Sequence, residues 1–481
     1  MKENLSKEKK YVTDWTESNK VGFYRLSDAI WSYAELGMEE YQSSKAITEY
    51  LKRNAFKVET GVADLPTAFV ATFGLGKPVI GFSCEYDALP GLSQEKAVNQ
   101  KRPIIEGAPG HGCGHNLLGV AAIMAAVALK NAVIDFDLQG TIRIFGTPSE
   151  ELCIGKSYMA RAGLFNGIDA VIDWHPGSFN GADYGTCNAY FNIRYHFKGR
   201  TAHGNSPWYG RSALDAAILM GHMIEHLREH TTPGDPPYAA NTINYSFPDV
   251  GPAFPVVVPD RSTLWCVGRI VSSEEMDYVI SRIYKCAEAA AMATETRVEI
   301  EIVSATHERI PNKAICQVLY NNLQAIGAPK FTEDESNFVK KMQKDFGAPE
   351  TGLDTSIMPF SGGSSGVSDN AEYSWFAPFG ALDIACTPDG VGGHNWQVAA
   401  CAGSTIGKKA LDVAAKVLAT SGIDLLMHPE IIDEAKKELN ERLRGRVYKS
   451  FIPETAKPPL LINRGIMDKY RSLQEKYYQQ L

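Results

Sequence analysis

AYFNIRYHFK, residues 189 to 198, alternates strictly: Phe191, Ile193, Tyr195 and Phe197 fall on one face, and Asn192, Arg194 and His196 on the other. A period of two predicts a strand with one face buried and one exposed. The strand candidates upstream read differently. PVIGFSC (78 to 84), TIRIFG (141 to 146) and AVIDW (170 to 174) are short, continuous apolar runs rich in Val and Ile, as parallel strands buried on both faces are. The change of pattern near Cys187 therefore closes one α/β region, built on a mostly parallel central sheet, and opens something else.

Working outward, the alternating strand is followed by a helix from Arg211 to about Glu229, strands near 241 to 246 and 262 to 271, a helix from Ser273 to Ala293 and a strand at RVEIEIV (297 to 303). The order β-α-β-β-α-β is the split ferredoxin-like unit, an α+β domain inserted into the α/β one. The α/β pattern resumes after Thr306. ALDIACT (381 to 387) reads as another buried strand, leading into the loop PDGVGGHNW and then a helix from Trp396 to about Thr420. Before the first strand, Val12 to Arg53 is helical. The tail is charged, with a Pro-rich interruption at IPETAKPPLL, and its helices are expected on the surface. The boundaries read are 1–186 and 307–425 for the two parts of the α/β domain, 187–306 for the insertion and 426–481 for a helical extension.

A chain of 481 residues exceeds one ordinary core. Hydrophobic residues at 44% and charged residues at 22% describe a soluble globular composition. The net charge is −8 and no Lys/Arg run could track a phosphate backbone, so nucleic acid is excluded as the expected partner in favour of small molecules. MKENLSKEKKYVTDW is too polar for a secretory signal, and the apolar run Leu117 to Leu129 is too short for a bilayer. A cytoplasmic protein with no membrane partner is the expectation. Nine cysteines form no C-x-x-C pair, which disfavours a zinc ribbon or redox dithiol; most read as small buried hydrophobes.

The chemistry lies where the buried strands end, at the edge on which open α/β sheets bind ligands. Glu85 and Asp87 follow the first strand, Glu150 and Glu151 in GTPSEE the second, and His175 in IDWHPG the third. GHGCGHNLLG (110 to 119) adds His111, Cys113 and His115, three soft donors in five residues, and His394 lies on the loop after the last strand. Thiolate and imidazole bind a borderline-soft divalent ion, and a carboxylate beside a ligand carboxylate can take a proton from activated water. This constellation predicts a metallohydrolase. The plainer reading of Ser149-Glu150-Glu151 is a helix cap, compatible with the first. His222, His226, His230, His307 and His428 read as structural.

These motifs, with AELGMEEYQSS (34 to 44), EYDALPGLSQ (85 to 94), AHGNSPWYGRSALDA (202 to 216) and GGHNWQ (392 to 397), resemble the metal-dependent amidohydrolases and carboxypeptidases that include aminoacylase, hippurate hydrolase and the auxin-conjugate amidohydrolases, and most specifically the p-aminobenzoyl-glutamate hydrolases. The resemblance runs from about Trp15 into the tail. It implies a metallopeptidase-type catalytic domain holding two divalent ions, Mn2+ or Zn2+, with the insertion as lid and dimerisation surface. Cys113, His115, Glu151, His175 and His394 fall on the family's ligand positions and Glu150 on its general base, which returns its proton to the leaving amine. Asp87 falls on a position behind the ligands. His203 matches a lid histidine that reaches into the partner protomer's site to stabilise the oxyanion. Asn116 stands where much of the family has aspartate, and Val256 where it has asparagine. The implied activity is cleavage of an N-acyl amino acid, p-aminobenzoyl-glutamate-like or another aryl amide, by a homodimer or by a pair with a homologous second subunit.

Three other readings exist. Hydrolytic deamination could run on the same metal pair, and the chain could be a non-catalytic binding subunit, which the intact glutamate pair and five ligands oppose. GGSSG (362 to 366) satisfies the serine-hydrolase pattern G-x-S-x-G, but Pro359 and the polar SDNAE stretch make it a loop rather than the required strand-turn-helix.

Overall fold

The computed structural model describes residues 5–478 except 236–238, 253 and 365. In chain order the helices and strands are α1 (Lys7–Tyr33), α2 (Tyr41–Arg53), β1 (Lys57–Thr60), β2 (Phe69–Leu75), β3 (Val79–Cys84), α3 (His115–Asp135), β4 (Gly140–Gly146), α4 (Gly155–Arg161), β5 (Ala170–Gly177), β6 (Gly181–Asp183), β7 (Ala189–Lys198), α5 (Ala213–Arg228), the two-residue pair β8 (Gly234–Asp235) and β9 (Ala239–Ala240), β10 (Thr242–Asp249), β11 (Arg261–Ile270), α6 (Ser273–Ala293), β12 (Arg297–Thr306), α7 (Lys313–Ile326), α8 (Glu333–Phe346), β13 (Phe379–Ala385), α9 (Trp396–Ala402), α10 (Thr405–Met427), α11 (Pro429–Leu443) and α12 (Arg464–Tyr478).

Among these, seven strands form the larger sheet in the order β1-β2-β4-β3-β5-β13-β6. The four in its centre, β4, β3, β5 and β13, are mutually parallel, and the antiparallel strands lie at its two sides. The continuous apolar runs have the expected cause. Along β5, Ala170, Ile172 and Trp174 join the core under α1, α3 and α10, whereas Val171 joins a second core with Tyr158, Met159 and Phe165 on the opposite face. Helix α3 is long and apolar enough to cross a membrane, yet most of it is buried, packed against α1, α10 and the sheet, which is the environment of a core helix.

The smaller sheet runs β10-β11-β7-β12, antiparallel throughout, with α5 and α6 packed against it. Phe191, Ile193, Tyr195 and Phe197 are all buried in a core of its own, as the alternation required. The sheet order and the two helices are those of the ferredoxin-like unit.

Three expectations need correction. The helical opening from Val12 to Arg53 is two helices, because Ala34 (φ 41°) and Met38 (φ 70°) turn left-handed between them. The helix expected from Trp396 to Thr420 breaks at Gly403, whose absent side chain admits Trp31, and restarts with Ser404 capping the Ile406 N–H. Ser149 caps nothing with its hydroxyl: it has φ 56°, Glu150 and Glu151 form a single 3-10 turn after it, and the next α-helix begins only at Gly155.

Candidate metal centre

Because the four central strands are parallel, their carboxyl ends share one edge, and each delivers part of the site. β3 runs into Glu85 and Asp87, β4 into the turn of Glu150 and Glu151, β5 carries His175 near its end, and β13 leads to the His394 loop. Helix α3 starts at His115 directly after Gly114, whose φ of +83° turns the chain and whose hydrogen-only side chain clears Pro176 of β5. The His394 loop is tied to the Cys113 loop by its own N–H, which donates to the Gly112 carbonyl at 3.1 Å.

The structure brings the expected donors together. Cys113 Sγ lies 3.4 Å from His175 Nε2, and His394 Nε2 lies 3.3 Å from Glu151 Oε2. Donor atoms of Cys113, His115 and His175 lie within 4.8 Å of one another, as do those of Cys113, Glu151 and His394, so Cys113 is common to two neighbouring groups. Two of the three imidazoles are aimed by their other nitrogen: His175 Nδ1–H donates to the Pro176 carbonyl at 2.8 Å and His115 Nδ1–H to Asp87 at 2.9 Å, which leaves both Nε2 atoms as ligand atoms. Asp87 holds a second member as well, accepting the Glu151 N–H at 3.1 Å. It therefore sits behind the donors and orients them.

A cation suits this set. His115 Nε2 and Glu151 Oε1 are each buried without a hydrogen-bond partner, a costly state for polar atoms unless a ligand reaches them. Burial pushes the Cys113 thiol up to about 12, helped by Glu151, and pushes the Glu151 carboxyl up to about 8, with His115 opposing and Glu150 adding to the rise. Burial, then His115, lowers His175 and His394, so both favour the neutral, ligating form. Coordination would deprotonate the thiol and carboxyl and satisfy the stranded atoms together.

Two residues of the sequence reading are elsewhere. His111 turns away from the cluster, its Nε2–H donating to the Ile30 carbonyl at 3.0 Å, and burial pushes its pKa down to about 3. His203 is exposed on the loop after β7; its Nδ1 accepts the Asn205 N–H at 3.0 Å, so the neutral ring presents Nε2–H as a donor. Ser364 of the GGSSG stretch pairs in an isolated bridge with Thr186, with no strand-turn-helix around it among the described residues; Ser365 lies outside them.

The sequence reading missed what lies beneath the glutamate turn. Lys156 is fully buried and pairs with Glu85 at 2.7 Å and Asp369 at 2.5 Å. Burial alone would depress its ammonium, but Asp369 and Glu85 outweigh it and raise its pKa well above the lysine range. Glu40 is likewise buried; its carboxylate accepts the Ser149 N–H at 2.8 Å and the Thr67 hydroxyl at 2.9 Å, fixing the left-handed residue that aims Glu150 and Glu151. Glu85 sits two residues before Asp87 at a strand end, which is a usable signal. Asp369 meets Lys156, and Glu40 meets Ser149, across more than a hundred residues, and no spacing rule reaches that far.

With this geometry in place, the chain's class can be stated. It belongs to the peptidase family M20/M25/M40, whose model matches residues 81–418, and it is an enzyme that hydrolyses amide bonds. Among its relatives, a p-aminobenzoyl-glutamate hydrolase subunit of Escherichia coli (strain K12) is 30% identical over 93% of this chain and 98% of that one. The Xaa-Arg dipeptidase of Mus musculus is 28% identical over 87% and 89%. A solved Bacillus subtilis structure, described as a dinuclear metal-binding peptidase from the M20 family, has the same fold, with a TM-score of 0.54 at 17% identity over 85% of this chain and 99% of that one.

Proposed function

We propose that this enzyme holds two divalent ions, Mn2+ or Zn2+, and hydrolyses the amide bond of an N-acyl amino acid of the p-aminobenzoyl-glutamate type. The observation that carries the reading is the convergence of Cys113, His115, Glu151, His175 and His394 on one strand edge, with buried donor atoms left unpartnered. When bound, the ions supply Lewis acidity that polarises the amide carbonyl and acidifies water.

The residues supply the rest. Glu150 lies beside the ligands but off the Cys113 groups, its carboxylate 3.8 Å from His115 Nε2. Burial, and then the charge of Glu85, raises its pKa, which brings a carboxylate toward the range where a general base works at neutral pH. It takes the proton of the attacking water and returns it to the leaving amine. His203 belongs to none of the donor groups; its loop carries exposed Trp208 and Tyr209, and exposed Val256 of the β10–β11 loop lies beside it, its carbonyl accepting the Gly204 N–H. An exposed apolar patch of this kind marks an interaction surface. In our reading residues 187–306 form a lid and dimer surface that carries His203 into a partner's site, where Nε2–H stabilises the oxyanion; 1–186 and 307–425 are the catalytic domain and 426–481 a helical extension.

The relative's own name supports the aryl-amide substrate and, by the word subunit, a second chain as a partner, which in our reading is homologous to this one. A cytoplasmic location completes the reading. The test is release of p-aminobenzoate from p-aminobenzoyl-glutamate by the purified chain, against hippurate and a dipeptide. Preferred turnover of the aryl amide is expected; turnover of the dipeptide alone would replace the substrate assignment.

A further inference from the structure

Glu85 is a carboxylate with two differently employed oxygens. Oε1 is clamped by the buried Lys156 ammonium at 2.7 Å. Oε2 faces His115 Nε2 at 3.4 Å, where no hydrogen bond forms and the imidazole atom is buried without a partner. His115 Nδ1–H is already given to Asp87, so Nε2 is the ring atom left facing the Glu85 oxygen. Such a gap takes a positive charge. The third donor atom there is on Glu150, and ligand atoms of Glu85, His115 and Glu150 all lie within 4.8 Å of one another, a group that includes neither Glu151 nor His394.

We propose that Glu85 is a further donor to the cation held by His115, and that Lys156 is the positioning residue that fixes it there. The inference rests on the metal reading above and adds a residue to it. Lys156 is itself locked: Asp369 receives its ammonium on one oxygen and its backbone N–H, at 3.1 Å, on the other. The start of α4 is pressed onto the glutamate turn, since a side chain at Gly155 would meet the Pro148 carbonyl. A lysine whose only task was stability would not need its partner carboxylate aimed at an unpartnered imidazole.

The test is calorimetric titration of the metal-stripped full-length protein with Mn2+. Two sites are expected for the wild type, and no binding there would overturn the metal reading itself. Glu85→Gln, which keeps the Lys156–Asp369 pair, is expected to weaken one site by about 10–100-fold and leave the other unchanged, the range typical of residues that tune metal ligands. Lys156→Met is expected to weaken the same site; if it fails to fold because Asp369 is stranded, Lys156→Met combined with Asp369→Asn takes its place. Unchanged affinity at both sites in folded Glu85→Gln protein, with melting temperature lowered equally with and without Mn2+, would make the network purely structural and overturn the proposal.

Discussion

Glu150 and Glu151 are consecutive, yet their surroundings separate their proposed roles. Glu151 is reached by His394 and by Asp87 through its N–H, whereas Glu150 turns toward Glu85 and His115. Glu150→Gln is therefore expected to lower kcat by about 10²–10⁴-fold, the usual worth of a general base, with metal content unchanged by mass spectrometry. Retained turnover would remove it as base. Cys113→Ser replaces the donor common to two groups with a poor ligand and should weaken metal binding in a calorimetric titration. Protons must leave Glu151, raised to about 8, and Cys113, raised to about 12, before either can bind. Affinity for Mn2+ should accordingly climb as pH rises toward 8, with proton release seen as a buffer-dependent heat; a pH-independent affinity would contradict that ligand pair. Most of these donors were legible in the sequence because metal ligands follow strand ends. Glu85 was visible but unassigned, and Lys156, Asp369 and Glu40 were silent because a buried ion pair leaves no periodic trace.

The elements were legible in proportion to how strictly their pattern follows one physical cause. Helix α6 was read with both its ends right, since Ser272 accepts the Glu275 N–H at its start and Ser273 follows directly. The strands β3, β4 and β5 were found from continuous burial on two faces. Strand β2 was missed: FVATFGL is only partly buried and reads as neither a continuous apolar run nor a helix. The loop between α1 and α2 was read as helix, since its αL turn at Ala34 is imposed from outside. The C-terminal helix supplies part of that constraint. Arg471 of α12 pairs with Glu35 at 2.5 Å and donates to the Glu39 carbonyl at 2.9 Å, and Asn463 donates to the Gly37 carbonyl. Glu35 keeps three backbone and hydroxyl donors from Gln42 and Ser43 without it. Arg471→Ala should thus cost about 1–3 kcal/mol of stability in denaturant unfolding, less than stranding a bare buried charge. The expectation of helices lying on the surface understated this tail, whose Met467 is fully buried.

For the molecule as a whole, the sheet edge places every proposed ligand in one protomer and leaves His203 outside the cluster. A dimer that shares its sites predicts that His203→Ala lowers kcat by about 10²–10³-fold, the worth of an oxyanion donor, while leaving metal affinity alone. Mixing inactive His203→Ala with inactive Glu150→Gln protein should then restore activity, because one site of a mixed dimer is intact; no recovery after subunit exchange would confine His203 to its own chain. The ferredoxin-like insertion was legible because its alternating strands contrast with the doubly buried ones; the proposed dimer rests on the family resemblance alone, since periodicity ends at one chain's surface. All of this depends on the cluster being a two-metal centre. The decisive measurement is the metal content of the purified, buffer-exchanged protein, in equivalents per chain. The account predicts two equivalents of Mn2+ or Zn2+, lost on chelation together with amide hydrolysis and regained with it; full hydrolysis by protein carrying no metal would contradict it.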